Sequence, residues 1–271
     1  MTARTSVLVW RLVILVVLVG AWEFLTGIKA ISQTPGLYWV DPFFVSRPSL
    51  ILKRFAYLAS DQVRLSIWAM AFSTIQSTLW GFVVGVSTGF VAGLVLGRND
   101  RLARIFEPYI VAFNSLPRIA LVPLITMIFG FGLLAKVVLA WTIVFFIVFF
   151  NTFQGARSVD ADLISSARFL GANEQQIMRT VIVPSALAWT FASLTPSISF
   201  ALIGVVVGEF LGGESGGGLG YLIIQSLGTL NAADMMVALL SLGVIGIVMA
   251  LGIKQVETRL LRWRPEYRAR P

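Results

Sequence analysis

The chain has 271 residues, 57% of them hydrophobic and only 13% charged, with a mean hydropathy of +0.86 and a net charge of +8. An ordinary soluble domain carries about 25% charged residues, and those here cluster between long uncharged runs, so lipid must solvate much of the apolar surface. There is no cysteine and no histidine, which excludes disulfides and thiol chemistry and removes the usual metal ligand and general base; the cations flank apolar runs, so they indicate membrane orientation and not a nucleic-acid surface.

A bilayer core of about 30 Å takes about 20 apolar residues per helix. The first run, Ser6 to Gly27, is too long for a signal peptide and lacks a small-residue cleavage site, so it reads as a retained helix. A polar stretch with Pro35, Pro42 and Pro48 follows, then an amphipathic lead-in from Arg64 to Thr78 and a second span from Ile75 to Gly97. The third span, Phe106 to Phe129, is punctuated by Pro108, Pro117 and Pro123; the fourth, Leu133 to Phe150, is the most hydrophobic. The fifth, Val181 to Leu211, is too long for one straight crossing and is expected to break at Pro196 or to contain a re-entrant stretch. The sixth covers Met235 to Ile253. The expectation is an all-α integral membrane protein of about six transmembrane helices, with an N-terminal helix and external loop (1–65), a core (66–262) and a cytoplasmic tail (263–271).

With the N-terminus inside, the internal segments hold Arg4, Arg98, Arg101, Arg104, Arg157, Arg168, Arg179, Lys254, Arg259, Arg262, Arg264, Arg268 and Arg270, and the external ones Lys29, Arg47, Lys53, Arg54, Arg64 and Lys136. Thirteen against six places both termini in the cytoplasm. The second span carries Gly81, Gly85, Gly89, Gly93 and Gly97, each four apart, a stripe that lets another helix backbone approach closely. Four residues advance a helix by about 400°, so the stripe drifts by about 40° per step and is expected to serve more than one neighbour, within the chain or at a subunit interface.

Between the fourth and fifth spans lies a cytoplasmic loop, Asn151 to Thr180. Asp162, Leu163, Ile164, Ala167, Leu170 and Ile177 repeat at helical spacing. Gly171 ends that run as a helix C-terminal glycine does, and Asn173 or Glu174 starts a second short helix leading to Pro184. Ser165-Ser166-Ala167, Gly171 and Val181-Ile182-Val183-Pro184 match the spacing of a known signature, Glu-Ala-Ala, three residues, Gly, nine residues, Ile-x-Leu-Pro. In this the chain resembles the binding-protein-dependent ABC importer permeases of the type I fold. Ser165 stands where that family usually has Glu, which weakens a salt bridge from this position but not the helix. Ser115 to Leu124, Asn151 to Arg157, Gly218 to Leu222 after Glu209, and the tail Arg262-Trp263-Arg264-Pro265 resemble the nitrate, sulfonate and taurine branch.

The resemblance implies a helix that couples the permease to a separate ATPase through Ser165, Ser166, Ala167, Arg168, Gly171, Ala172 and Pro184. It also implies a second permease copy, two ATP-binding subunits holding the ATP and magnesium, an external substrate-binding protein, no cofactor in this chain, and a place in the bacterial inner membrane. The run Gly212 to Gly220 lacks the Lys and Ser or Thr of a phosphate loop and reads as a flexible external loop. Polar groups within spans mark transport paths because burying them in lipid is costly. Arg118 with Asn114 and Ser115 in the third span offers a cation and hydrogen-bond donors to a small anion, or Arg118 snorkels or pairs with an acid for stability. Asn151 ends the fourth span and Glu209 the fifth. The rival reading is an ion-coupled secondary transporter or channel, which would carry charges at midplane in repeated halves; no such repeat is visible.

Overall fold

The structure is a computed structural model that describes residues 3–32, 34, 36–60, 66–212 and 217–261. The tail from residue 262, residues 213–216 of the glycine run, Pro35 and Arg64 lie outside the described residues. The main helices are α1 (Ala3–Gly27), α2 (Pro48–Leu58), α3 (Ile67–Arg98), α4 (Asp100–Ser115), α5 (Val122–Phe129), α6 (Leu133–Arg157), α7 (Ala161–Phe169), α8 (Glu174–Ile177), α9 (Val183–Leu211), α10 (Leu219–Gly228) and α11 (Ala232–Leu260). Every regular element among the described residues is helical. Short polar caps set the boundaries: Ser66 accepts from the Ala69 N–H ahead of α3, and Asn99 accepts from Arg101 and Leu102 ahead of α4.

Among the described residues five helices are long and apolar enough to cross a bilayer: α1, α3, α6, the run through α8 and α9, and α11. The sixth crossing is the bent pair α4 and α5, angled by 84° at Pro117 and a 3-10 turn, Arg118–Leu121. Parity requires it. Gly81 faces Ala140 and Gly97 faces Ala156, so α3 and α6 run parallel, and the chain between them has to cross once.

The core is the α3–α6 seam with α9 laid antiparallel across it. The nearest contacts of all five stripe glycines are with α6, where several neighbours were expected. The reason is that α6 carries its own four-residue series, Ala140, Val144, Val148, Thr152 and Ala156, so the partner helix follows the drift. A Cβ at Gly89 would stand 2.7 Å from the Phe145 carbonyl oxygen, and one at Gly93 2.7 Å from that of Phe149; the backbones are too close for any side chain. Gly155 admits Trp189 of α9 in the same way, and Gly204 and Gly208 of α9 admit Ile143 and Leu139. Phe82, Val144, Val148, Ile198 and Val205 fill the space between.

The fifth span does not break at Pro196, which lies inside the unbroken α9. The helical run instead continues back through a π-helical turn, Met178–Ile182, to α8. Pro184 explains the turn: its ring lacks an N–H and crowds the carbonyl one turn back. The amphipathic lead-in also proves to be no separate element, because from Ile67 onward it is the first part of α3, with Ile67, Met70 and Thr74 buried. Outside the core, α1 buries none of its most apolar stretch and is fastened at one end, where Glu23 accepts from the Ser49 N–H and hydroxyl at 2.9 and 2.8 Å. Arg54 of α2 grips Asp234 of α11 with two hydrogen bonds, and that carboxylate raises the guanidinium pKa above its ordinary value.

Candidate coupling surface and buried polar sites

At the end of the bundle where α3 and α6 finish, α7 and α8 form a tight helix-turn-helix. Asp160 caps α7 by accepting from the Asp162 N–H at 2.9 Å. At its other end Ala172 N–H donates to the Ala167 carbonyl at 3.0 Å and Gly171 N–H to that of Arg168 at 2.9 Å. This is the paired pattern of a Schellman cap, with Gly171 at φ +86° as the cap demands. The spacing of Ala167, Gly171 and Ala172 thus has a local cause: the first and third bring small side chains together, and the second takes the left-handed turn. One residue later Asn173 opens α8 with a reciprocal capping box, in which the Asn173 and Gln176 side chains each accept at 2.8 Å.

Glu174 fastens the turn. It accepts from Arg168 at 2.8 and 3.0 Å and from Arg98 at the end of α3. Ile164, Ala167, Ala172 and Ile177 pack inward on Ala156, Ile182 and Ala186. The opposite face is bare. Phe169 is 92% exposed and Leu170 88%, though both are large, apolar and outside the predicted spans. Ser165 and Ser166 are exposed beside them, and Pro184 sits half-buried at the start of α9.

At the other end of the bundle Glu209 is fully buried and joins four segments. Thr74 of α3 donates to its carboxylate at 2.9 and 3.0 Å, and the Gly220 N–H of α10 at 2.9 Å. Lys136 of α6 lies 3.4 Å away and donates to Ser73 at 2.8 Å. The Leu219 N–H closes the ring onto the Thr74 hydroxyl at 3.0 Å. Glycine is required on the incoming strand: a Cβ at Gly218 would run into the carboxylate, and one at Gly220 would stand 2.7 Å from the Val206 carbonyl oxygen. Lys136 was expected in an external loop; it is instead inside α6 and 3% exposed. The overlooked signal was a pair of opposite charges at matching ends of two apolar runs. Glu209 accordingly joins four packed segments.

The other residues expected along a transport path divide. Arg118 donates to the Asn114 carbonyl and Oδ1, each at 2.7 Å, and stands 5.0 Å over the Phe146 ring. Among the described residues no acid pairs with it. Ser115 is exposed and donates to its own helix at Val111. Asn151, half-buried, donates to the Ile147 carbonyl at 2.8 Å from inside α6, which continues to Arg157, so it does not end the helix.

A six-crossing helical bundle with a capped helix-turn-helix at one end defines a class, the transmembrane subunit of an ATP-driven importer. The chain belongs to the family described as the binding-protein-dependent transport system inner membrane component, which matches residues 81–262. It is therefore a multi-pass transport subunit and not an enzyme. It is 27% identical over 256 residues to the putative aliphatic sulfonates transport permease protein of Bacillus subtilis, spanning 93% of this chain and 86% of that one. It is 32% identical over 221 residues to the riboflavin transport system permease protein of Chloroflexus aurantiacus, with 82% and 81% covered, and 25% identical to the taurine transport system permease protein of Escherichia coli, with 85% and 84% covered. In fold it is similar to a chain of the inward-facing MetNI methionine ABC transporter, with a TM-score of 0.61 at 23% identity, over 75% of this chain and 98% of that one.

Proposed function

We propose that two copies of this chain form the translocation pathway of a bacterial inner-membrane importer for small organic anions of the sulfonate or taurine type. The carrying observation is the bare apolar tip, Phe169 and Leu170, on a helix held by the Gly171 cap and the inward packing of Ile164 and Ile177 and oriented by the Glu174 ion pairs. Large apolar side chains held in water signal an interface with another protein. The partner is an ATPase subunit, one per copy, which holds the ATP and magnesium. Its closure pushes α7, and α7 transmits the push because Arg98 ties the turn to α3 and the π-helical turn ties it to α9. A substrate-binding protein delivers the solute at the opposite, external face, with both termini of the chain in the cytoplasm. The anionic solute follows from the named solutes of the sulfonate and taurine relatives, although the riboflavin permease belongs to the same group.

The test is to purify the tagged chain from mild detergent beside a Phe169→Asp variant. The native chain should bring down a P-loop ATPase at near one to one, and the variant should insert normally but come out alone. A native chain that purifies alone under conditions that preserve such complexes, or a variant that keeps its ATPase, defeats the reading.

A further inference from the structure

Arg118 stands midway along the third apolar run, Phe106 to Phe129, with its guanidinium against Phe146 of α6. Two of the five N–H groups of a guanidinium go to Asn114, and the others meet no acceptor among the described residues. Beside it Leu116 and Pro117 leave helical geometry where the chain bends by 84°. Non-helical backbone at membrane depth is tolerated only inside protein or along a water-filled cavity, and here Leu116, Pro117 and Ile119 are all exposed on the single chain. A half-exposed cation with spare donors and exposed irregular backbone at one depth are independent signs of the same thing, an aqueous lining.

We infer that Arg118 is the cation of an anion subsite midway along the pathway, where a sulfonate group is held by the free edge of the guanidinium. Asn114 and the Phe146 ring fix the plane of the guanidinium, and the edge left open presents parallel N–H donors that suit two oxygens of a sulfonate. Asn114 thus acts with Arg118, in a positioning role. Asn151 and Glu209 are not part of the subsite. This inference rests on the importer reading for its solute, but not for its labelling test.

The chain has no cysteine, so Ser115→Cys gives a single reporter thiol next to the bend. In membrane vesicles of both orientations, the sulfonate-bearing reagent sulfonatoethyl methanethiosulfonate should label it at least about tenfold faster than the cationic trimethylammonioethyl reagent, as a nearby unpaired cation requires. Adding Arg118→Gln should abolish or reverse that preference, and Arg118→Lys should retain part of it. A thiol that neither reagent reaches from either side, or a preference that survives Arg118→Gln, overturns the subsite. In the reconstituted complex Arg118→Gln should lower ethanesulfonate uptake by at least about tenfold while ATP hydrolysis still responds to the loaded binding protein; unchanged uptake overturns the subsite too. An Arg118-dependent labelling preference in a complex whose native form takes up no ethanesulfonate would instead uphold the subsite and defeat the solute assigned under the importer reading.

Discussion

Two charge clusters stand at opposite ends of the bundle and are built from the same groups, basic side chains around one glutamate. The side chains of Lys136 and Glu209 are 4% and 0% exposed, whereas those of Arg98, Arg168 and Glu174 are 33%, 53% and 61% exposed. In the first, water is excluded, and every partner of the carboxylate is needed to offset its burial. In the second, water screens the charges and each pair contributes little by itself. The difference shows how one chain can be rigid at one end and adjustable at the other. The buried cluster welds α3, α6, α9 and α10 into one body, while the exposed one orients a turn whose real fixation is the Gly171 cap and the inward packing of Ile164 and Ile177.

The largest effect is expected at the buried end. Glu209→Ala removes the buried carboxylate that holds Thr74, Lys136 and Gly220 together, at a cost of about 3–5 kcal/mol, which should appear as lost folded protein or a steep fall in melting temperature in detergent. Joining Lys136→Met to Glu209→Gln should recover most of that loss, since neutral groups of similar volume cost far less to bury than charges. If the single variant melts with the native protein, the contrast between the two ends is void.

A smaller effect is expected at the exposed turn, and from backbone rather than charge. Gly171→Val forces a β-branched side chain to φ +86°, at about 1–2 kcal/mol for a left-handed residue. Insertion should survive, while uptake and ATPase association should fail. Gly171→Asn, tolerated at this position of a helix cap, should keep both. The smallest effect is expected for Glu174→Ala, which frees Arg98 and Arg168 into water. Melting should hardly change, and coupling measured as binding-protein-stimulated ATP hydrolysis should fall modestly. Raising the salt should shrink the gap from the native protein, because these pairs are screened. If Glu174→Ala proves more damaging than Gly171→Val, then charge and not the cap holds the coupling helix.

How much of this is legible in the chain follows from the range of each interaction. The apolar runs are visible because lipid imposes their length, although α3, α6 and α11 all continue beyond their most apolar residues, where caps and not hydropathy end them. The helix-turn-helix was readable almost to the residue. Ala167, Gly171, Ala172, Asn173 and Gln176 satisfy one another's backbone groups within a single short segment. The glycine stripe was equally plain, but the helix it meets was not, because the matching series of α6 begins with Ala and Val residues that look like any apolar span.

Local sequence by itself thus determined the apolar spans and the helix-turn-helix after α6, since spans, caps and left-handed glycines depend on neighbours in the chain. Only the tertiary structure decided which charges pair. Lys136 lies 73 positions and Thr74 135 positions from Glu209, and nothing in a one-dimensional pattern brings such residues together. Burial between four packed segments does: it removes water from the carboxylate and leaves its hydrogen bonds to be made by groups that only the fold delivers.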